Sequence, residues 1–540
     1  MKKNTKDNTL PKILVLTGRA AEPIVRKYIP ENVDLLVLPV DVAAFITSEM
    51  ILENLNKKTA QNYELIVTPG LVQDDLTYLK NKLGILVVKG PRYASDIKMA
   101  IIDTDPFTLS PVVSADKYLK KQKATISRDI IEQGFTAPLE KNEYYIGFKK
   151  KFPVGLNRPP LVMAEIVDAP KLSMEKITER ALYYLRNGAD ILDIGALANE
   201  PEPQKISKIV KKLKSLQEQH GFAISVDTLE VEEIQAAIKE GVDLILSIDH
   251  GNVDYLIDDI PKNVGVVFVP TNVEKGYLPK TSQERVKSLI QLRDKLKAAD
   301  LTKIAADPII EMPIYPGFTN SLSHYIEYRK IDSETPMMTC VGNVTEFIAA
   351  DPIGINALFS CISVELGIQL LLVTDVSAKC RGGIKEIVKS RDLAFVAKQK
   401  DTPPKGHGIE ILMAKSRTAN DIEIVGFKNI ETLEITTKDE NKLYRLDYEP
   451  DPKGSFTIWI DYHKQKIYTA HLKVGTNKPD LLLISSKARL IYEEIIKRNL
   501  ITKIDHAFYM GRELERAEVC LYLGKTYIQN KQTFCDEKII

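Results

Sequence analysis

The sequence has few cysteines and no long apolar run, and each scarcity argues against a class of protein. Its five cysteines, among 540 residues, are scattered and form no C-x-x-C pair. This pattern does not support a disulfide framework or a zinc site of the usual spacing. The longest apolar runs, such as residues 368–373, are far shorter than the roughly 20 residues that span a membrane. No apolar signal region follows the charged N-terminus, so we expect a cytoplasmic protein.

Neither sign of charge is in excess. The 74 lysines and arginines nearly balance the 73 aspartates and glutamates, which leaves a formal net charge of +1. No overall field therefore draws the chain to nucleic acid or to a membrane, and we expect neither as a partner. A chain of 540 residues is too long for one hydrophobic core and predicts roughly two to four domains.

Four short apolar runs near the N-terminus predict a small open α/β domain over residues 10–115. The runs, at 12–18, 33–39, 63–70 and 84–91, alternate with helical stretches, which is typical of a parallel sheet covered on both faces. The turn after the first run lacks G-x-G-x-x-G. A structural or partner-docking role is therefore at least as well supported as phosphate binding. Residues 116–157 predict a helical and loop bridge.

The middle of the chain repeats a different unit, in which an apolar run ends in an acidic or small polar residue. Residues 188–196 (GADILDIGA), 224–228 (ISVDT) and 241–252 (GVDLILSIDHGN) show it most clearly. The eight predicted strands are 161–166, 191–194, 223–226, 244–248, 264–269, 303–306, 337–340 and 369–374. Eight strands separated mostly by helices predict a closed (β/α)8 TIM barrel over residues 158–400. Period-two alternation and helices over residues 405–540 then predict an α+β domain.

The C-terminal ends of barrel strands carry the chemistry in this architecture. Those positions hold Asp193, Asp227, Asp249, Asn272, Asp307, Asn343 and Asp375. Acids crowded round one mouth repel each other unless they meet a cationic, amide-rich or metal ligand. An aminopyrimidinone ring offers a row of N–H donors that such side chains accept. Any single one of these residues is equally explained as a cap of the following helix.

These motifs resemble the pterin-binding barrel of dihydropteroate synthase and of the methyltransferases that use a tetrahydropterin. The similarity covers about residues 158–390 and includes ADPII at 306–310. It implies that Asp227 and Asp307 hold the pterin ring, and VGNVTEF at 341–347 implies that Asn343 lies near the reactive nitrogen. The full set of expected pterin-binding residues is Asp193, Asp227, Ser247, Asp249, Asn272, Asp307, Asn343 and Asp375.

The chain departs from the synthase pattern where that enzyme handles diphosphate. Glu165 or Asp168 stands where a synthase has the asparagine that helps to place magnesium, and Leu246 with Ser247 replaces another asparagine. The arginine and lysine motifs after the second, seventh and eighth strands are absent. The resemblance thus implies a retained pterin site with altered diphosphate handling.

Two segments offer replacements for the missing groups. Lys379 and Arg381 lie in a glycine-containing loop after the eighth strand, where barrels often bind phosphate, although such residues also commonly face solvent. The long insertion after the sixth strand is rich in aromatic residues and is a candidate lid, with Tyr315, Arg329 and Lys330 as its contacts.

The order of the domains resembles the archaeal dihydropteroate-synthase-related proteins, which are connected with tetrahydromethanopterin. This implies an enzyme that joins a hydroxymethyl dihydropterin diphosphate to an arylamine. Its catalytic residues would be Asp227, Asp307, Asn343 and Lys379, with Lys379 and Arg381 binding the anion and Mg²⁺ near Glu165 or Asp168.

Two other functions fit the same resemblance. One is methyl transfer from a methylated tetrahydropterin to a separate corrinoid protein, which needs no metal at the barrel mouth. The other is a non-catalytic pterin-binding scaffold whose outer domains dock biosynthetic enzymes. Barrels of this family tend to pair, which implies a homodimer.

Overall fold

The computed structural model describes residues 11–149, 151–414, 433 and 449–531. The chain forms two compact units. The first combines the residues up to 133 with residues 396–409, and the second combines residues 134–395 with those from 410 onwards. Within the described ranges, no helix has the length and apolarity needed to cross a membrane.

The first unit contains a four-stranded parallel sheet in the order β2-β1-β3-β4. Its strands are β1 (Ile13–Thr17), β2 (Asp34–Val37), β3 (Leu65–Thr68) and β4 (Leu86–Lys89). Its helices are α1 (Glu22–Tyr28), α2 (Ser48–Asn54), α3 (Lys57–Ala60), α4 (Leu79–Leu83) and most of α5 (Asp116–Thr136). Successive residues of a strand face opposite sides, so Ile13 packs in one core and Leu14 in the other. The predicted open α/β sheet is confirmed.

A buried ion cluster fixes α5 in this unit. The Lys123 Nζ lies 2.6 Å from a carboxylate oxygen of Asp96 and 2.8 Å from one of Asp116. Lys123 and Asp96 are 3% and 5% exposed. Because water reaches neither charge, their mutual attraction has to compensate for the lost hydration of both. The two carboxylates together hold the pKa of Lys123 above its ordinary value despite burial.

The second unit is built on a closed parallel barrel, which confirms the predicted fold. Its strands are β7 (Leu161–Ile166), β8 (Ile191–Gly195), β9 (Ala223–Asp227), β10 (Leu244–Ile248), β11 (Gly265–Phe268), β12 (Ile304–Ala306), β13 (Met337–Cys340) and β14 (Ile368–Val373). Each strand pairs with the next along the chain, and β14 closes the barrel on β7. Every predicted strand lies within one residue of the observed bounds at each end.

Helices surround the barrel. They are α6 (Met174–Arg186), α7 (Pro203–His220), α8 (Val231–Lys239), α9 (Val253–Leu256), α10 (Ser282–Ala298), α11 (Phe318–Ile331), α12 (Gly342–Thr345), α13 (Pro352–Leu366) and α14 (Gly383–Gln399). Local signals set their ends: Ser173 caps α6, Thr281 and Glu284 form a capping box on α10, and Gly367 ends α13 in a left-handed conformation. The helices cover the outward side chains of the strands in one large core.

A hairpin closes the far end of the barrel interior, in the segment that the sequence predicts as a helical and loop bridge. The segment contains the end of α5 and two antiparallel strands, β5 (Tyr144–Ile146) and β6 (Phe152–Val154). Their side chains pack against the inward residues at the starts of the barrel strands, such as Leu161. The Tyr144 hydroxyl also donates to the carbonyl oxygen of Ile304 at 3.0 Å. Three-residue strands are too short to show a period in the sequence.

The C-terminal part of the second unit is α+β, as predicted. It contains the antiparallel sheet β15 (Ser455–Asp461), β16 (Lys466–Leu472) and β17 (Leu481–Ser485), followed by α15 (Ala488–Lys497) and α16 (Ile504–Leu523). The helices pack on one face of the sheet around Phe456 and Ile467. The strands predicted at 422–427, 433–438 and 442–448 lie almost wholly outside the described residues.

The ion cluster of the first unit predicts a large effect of removing its cation. Lys123→Ala leaves Asp96 buried without its positive partner, so we expect the free energy of unfolding of this unit to fall by about 3–5 kcal/mol. Lys121, an exposed residue of the same helix, provides the control, because Lys121→Ala is expected to change stability by about 0.5 kcal/mol or less. Urea denaturation of both variants measures the difference. Equal effects of the two substitutions would contradict the role of the cluster.

Candidate functional site

Three carboxylates lie together at the C-terminal ends of neighbouring barrel strands. Glu165, Asp193 and Asp227 come from β7, β8 and β9, and each offers an oxygen within 4.8 Å of those of the other two. We call them the carboxylate cluster. Side chains two apart on a strand face the same way, so Leu161 and Met163, which fill the interior, are followed on that side by Glu165. Strand register sets Glu165 beside Asp193.

Asp193 is the most enclosed member of the cluster. It is 0% exposed, and its Oδ1 accepts a hydrogen bond from the Ser225 hydroxyl at 2.5 Å. Its Oδ2 is buried and has no hydrogen-bond partner among the described residues. Burial, together with the charges of Asp227 and Glu165, raises the pKa of Asp193 well above its ordinary value. A buried acceptor of this kind calls for a donor or a cation from outside the chain.

The other two cluster residues are also hard to ionise in the absence of a ligand. Burial and the nearby charges of Asp227 and Asp168 raise the pKa of Glu165 to about 7. Burial and the charge of Asp307 raise the pKa of Asp227 to about 7. Gly195 leaves room for this crowding, because a Cβ there would lie 2.5 Å from a carboxylate oxygen of Glu165.

Asp307, which follows β12, is held by two donors. Its Oδ1 accepts the Tyr325 hydroxyl and the backbone N–H of Ile309, both at 2.8 Å. Tyr325 lies on α11 and contacts the Thr339 hydroxyl at 3.1 Å as well. Burial outweighs these hydrogen bonds and raises the pKa of Asp307 to about 6. These two hydrogen bonds therefore fix the position of Asp307, and its Oδ2 accepts none from the described residues.

Asn343, at the start of α12, donates from its Nδ2 to the carbonyl oxygen of Ile310 at 2.9 Å. This bond orients the side-chain amide, and its Oδ1 accepts no hydrogen bond from the described residues. Ser247 is partly exposed at the end of β10. Both residues therefore keep a polar atom available.

Three of the predicted pterin-binding residues are engaged in local structure instead. The Asp249 carboxylate accepts the N–H groups of Gly251, Asn252 and Val273 and the Thr271 hydroxyl. Asn272 caps a short turn by accepting the N–H of Lys275. Asp375 accepts the Tyr183 hydroxyl at 3.1 Å and the N–H of Gly382 at 3.0 Å. Capping, the alternative explanation of such residues, accounts for the contacts of Asp249 and Asn272.

The predicted anion-binding residues do not converge in the structure. Lys379 Nζ donates to the carbonyl oxygens of Glu346 and Ile348 at 2.9 and 2.5 Å. The Arg381 guanidinium lies 5.8 Å from the centre of the Tyr462 ring and donates to the Thr526 hydroxyl at 3.4 Å. Lys379 therefore orders a loop, whereas Arg381 turns to the C-terminal part of the unit.

The remaining predicted contacts are also separated. Asp168 pairs with Lys171 at 3.2 Å on the surface and does not belong to the carboxylate cluster. In the insertion after β12, Tyr315 is 84% exposed. The Arg329 guanidinium donates to the carbonyl oxygens of Leu366 and Gly367 at the end of α13. These hydrogen bonds hold it away from the insertion.

Two residues that contact the site were not predicted from the sequence, namely Ser225 and Tyr325. Ser225 is two residues before Asp227 on the same strand, so strand alternation alone places both on the inner face. Tyr325 gives no such signal, because its contact with Asp307 depends on how α11 packs on the barrel.

The carboxylate cluster predicts a pH-dependent gain in stability on neutralisation. A carboxyl whose pKa is raised by folding stabilises the fold below its unfolded pKa, and that contribution is lost as the pH rises through about 7. Asp227→Asn removes one charge, so we expect a gain on the order of 3 kcal/mol at pH 8 and a much smaller one at pH 5.

Thermal unfolding of wild type and variant from pH 5 to pH 8 measures this gain. Asp254→Asn, at an exposed carboxylate of α9, is the matched control and should show no such trend. A gain for Asp227→Asn that stays constant over the range would mean that folding does not raise the pKa of Asp227.

Comparisons with known proteins identify families and relatives that this chain resembles. Residues 166–312 match the model of the pterin binding enzyme family, residues 11–92 match a family of unknown function, DUF6513, and residues 450–530 match the family PterinBD-DUF4346. Dihydropteroate synthase of Streptococcus pyogenes is 22% identical over 227 residues, which cover 38% of this chain and 84% of that protein. The structure of dihydropteroate synthase from Yersinia pestis covers 47% of this chain and 100% of its own, with 16% identity and a TM-score of 0.37.

One relative spans almost the whole chain. The uncharacterized protein MJ0107 of Methanocaldococcus jannaschii is 36% identical over 537 residues, which cover 97% of this chain and 99% of that protein. The predicted resemblance is thereby confirmed. The chain belongs to the same family as this archaeal protein, in which a pterin-binding, dihydropteroate-synthase-like barrel stands between an N-terminal and a C-terminal domain.

Proposed function

We propose that the chain is a transferase that joins a hydroxymethyl dihydropterin diphosphate to an arylamine, in one-carbon carrier metabolism of the tetrahydromethanopterin type. The observation that carries the proposal is the carboxylate cluster at the mouth of a pterin-binding barrel. In the reaction, the amine nitrogen bonds to the exocyclic methylene carbon, the bond from that carbon to the diphosphate oxygen breaks, and the amine loses one proton to water.

The pterin ring fits the acids on the inner face of the barrel. Asp227 needs a positive or hydrogen-donating partner, since burial and the charge of Asp307 raise its pKa to about 7. The pterin offers a row of N–H donors, and hydrogen bonds from them favour the ionised carboxylate. Tyr325 and the backbone of Ile309 occupy one oxygen of Asp307, which orients the other for the ligand. Hydrogen bonds from the pterin would thus form at the carboxylates whose ionised form is disfavoured in the empty site.

The cluster also fits a divalent cation. Its donors are all carboxylate oxygens, which suit Mg²⁺ or Mn²⁺ rather than softer metals, and Asp193 Oδ2 is buried without a partner. Glu165 and Asp193 would hold such an ion, and Asp227 would bind the pterin. The ion would supply positive charge to the departing diphosphate. Of the two predicted alternatives, Glu165 and Asp168, this keeps Glu165, because Asp168 lies outside the cluster.

Such a cation would bind the diphosphate, which is the role that the sequence predicts for the loop containing Lys379 and Arg381. Two of the three Lys379 N–H donors are committed to backbone carbonyls, so Lys379 positions the loop after α12 rather than facing the reacting atoms. Asn343 lies at the start of that helix. Its amide is held by Ile310, and we assign it to contact with the pterin.

A direct test is calorimetric titration of the full chain with hydroxymethyl dihydropterin diphosphate, with and without magnesium. We expect magnesium to strengthen binding, and Glu165→Gln to abolish that gain while leaving metal-free binding within about twofold, since only the cation depends on Glu165. Asp227→Asn should weaken binding about tenfold or more in both conditions, through the lost carboxylate contacts. Asp254→Asn, at an exposed carboxylate of α9, is the matched control for both variants.

Turnover with 4-aminobenzoate as the test arylamine, followed by release of diphosphate, separates an enzyme from a binding protein. Release that requires both reactants supports the synthase. Tight pterin binding without release from any of a panel of arylamines would contradict it and would favour the scaffold function.

Asn343 supports a second candidate, methyl transfer from a methylated tetrahydropterin to a corrinoid partner protein. Its unpaired Oδ1 is suited to accept a hydrogen bond from a protonated ring nitrogen, which makes the attached methyl group a better leaving group. Under this function, titration with a methylated tetrahydropterin should show binding that magnesium does not change. Asn343→Ala should then weaken it about tenfold, and equal binding by wild type and variant would exclude the role.

A further inference from the structure

A second cavity lies in the same unit, on the outside of the barrel. It encloses about 300 Å³ and is lined by the end of α6, the start of α14, the β15–β16 turn and the end of α16. None of its lining residues belongs to the carboxylate cluster. The proposed reaction therefore leaves this cavity unexplained.

Cations dominate one side of the cavity. Lys385 and Lys389 line it at four-residue spacing, which places them on one face of α14, and Arg381 lines it from the segment just before that helix. Arg186 from α6 and Lys464 from the β15–β16 turn add two further positive charges. Like charges at this spacing destabilise a helix unless an anion meets them.

The protein supplies little negative charge in return. Within the described ranges, Lys385 and Lys389 form no ion pair, and burial together with Lys385 lowers the pKa of Lys389. Glu386 is the one lining carboxylate. It accepts a hydrogen bond from Asn356 at 2.9 Å, and burial raises its pKa to about 7. Lys464 pairs with Asp461 at 3.5 Å. The other four cations of the lining form no ion pair with described residues, so the cavity is positive when empty.

Apart from the amides of Asn187 and Gln465, the remaining lining is apolar and aromatic. Tyr462, Tyr522 and Leu521 contribute to it, with Ile353 from the barrel side. The Arg381 guanidinium lies 5.8 Å from the centre of the Tyr462 ring, which holds the cation at the edge of this apolar surface. Gly382 also lines the cavity, and a Cβ there would lie 3.2 Å from the Tyr462 hydroxyl oxygen.

We infer that this cavity is a second ligand site, which binds a small organic anion with an apolar or aromatic body and one phosphate or carboxylate group. The cations of α14 meet the charged group, and the tyrosines and aliphatic side chains cover the body. The site is connected to the barrel through Gly382, whose N–H donates to Asp375 just after β14. It goes beyond the proposed function, because neither reactant is assigned to it.

Phenyl phosphate is the probe for the test, with phenol and inorganic phosphate as controls that each lack half of it. We expect one phenyl phosphate per chain in calorimetric titration, bound about tenfold or more tightly than either control. The Met413 methyl group, which also lines the cavity, should shift in ¹H–¹³C spectra of methionine-labelled protein. Equal affinity for inorganic phosphate would mean non-specific ion binding and would overturn the inference.

Substitution then locates the site. Lys385→Gln with Lys389→Gln should weaken binding about tenfold, whereas Lys208→Gln with Lys239→Gln, at exposed lysines of α7 and α8, should change it less than twofold. The cavity variant should melt no lower than wild type without ligand, because it relieves repulsion. Asp227→Asn should leave binding intact, which separates this site from the pterin site. Loss of binding in the control variant or in Asp227→Asn overturns the inference.

Discussion

The alternation of side chains along parallel strands is the constraint on which the site depends. On β7, β8 and β9 the same inward positions carry apolar residues at the start of the strand and acids towards its end. The barrel is therefore a packed core at one end and a polar mouth at the other, without any change of backbone geometry. Three acids converge because their strands are neighbours in the closed sheet. Shifting one strand by one residue would turn its acid into the helical layer.

The convergence has an energetic cost that only a ligand offsets. Buried carboxylates without counter-ions hold protons near neutral pH, and the raised pKa values of Glu165, Asp193 and Asp227 express that cost. A pterin, a cation or both lower it by supplying donors or positive charge. The crowded carboxylates therefore lower the stability of the protein when no ligand is bound. The packing of the helical layer and of the filled interior compensates for that loss.

The barrel was predictable from the sequence, because its strands are long enough to show apolar runs and its helices carry ordinary start and stop signals. The cluster was predictable in part: Glu165, Asp193 and Asp227 all stand at strand ends. The sequence did not show which strand-end residues face the mouth and which order a loop. Asp249 and Asp227 look alike in sequence yet differ in their partners. Arg381 shows the same limit, because its direction depends on Tyr462, about 80 residues away.

The hairpin β5–β6 gives the barrel one closed end and one open end. Whatever reaches the carboxylates has to arrive, and to leave, past the same rim. If the chain condenses a pterin with an arylamine, as proposed above, this shared rim would set an order in time: the reactant that lies against the acids would enter first, the other would follow, and the joined product would leave before the next pterin binds. An ordered kinetic mechanism is thus the consequence expected of a barrel whose opposite end is closed by the β5–β6 hairpin.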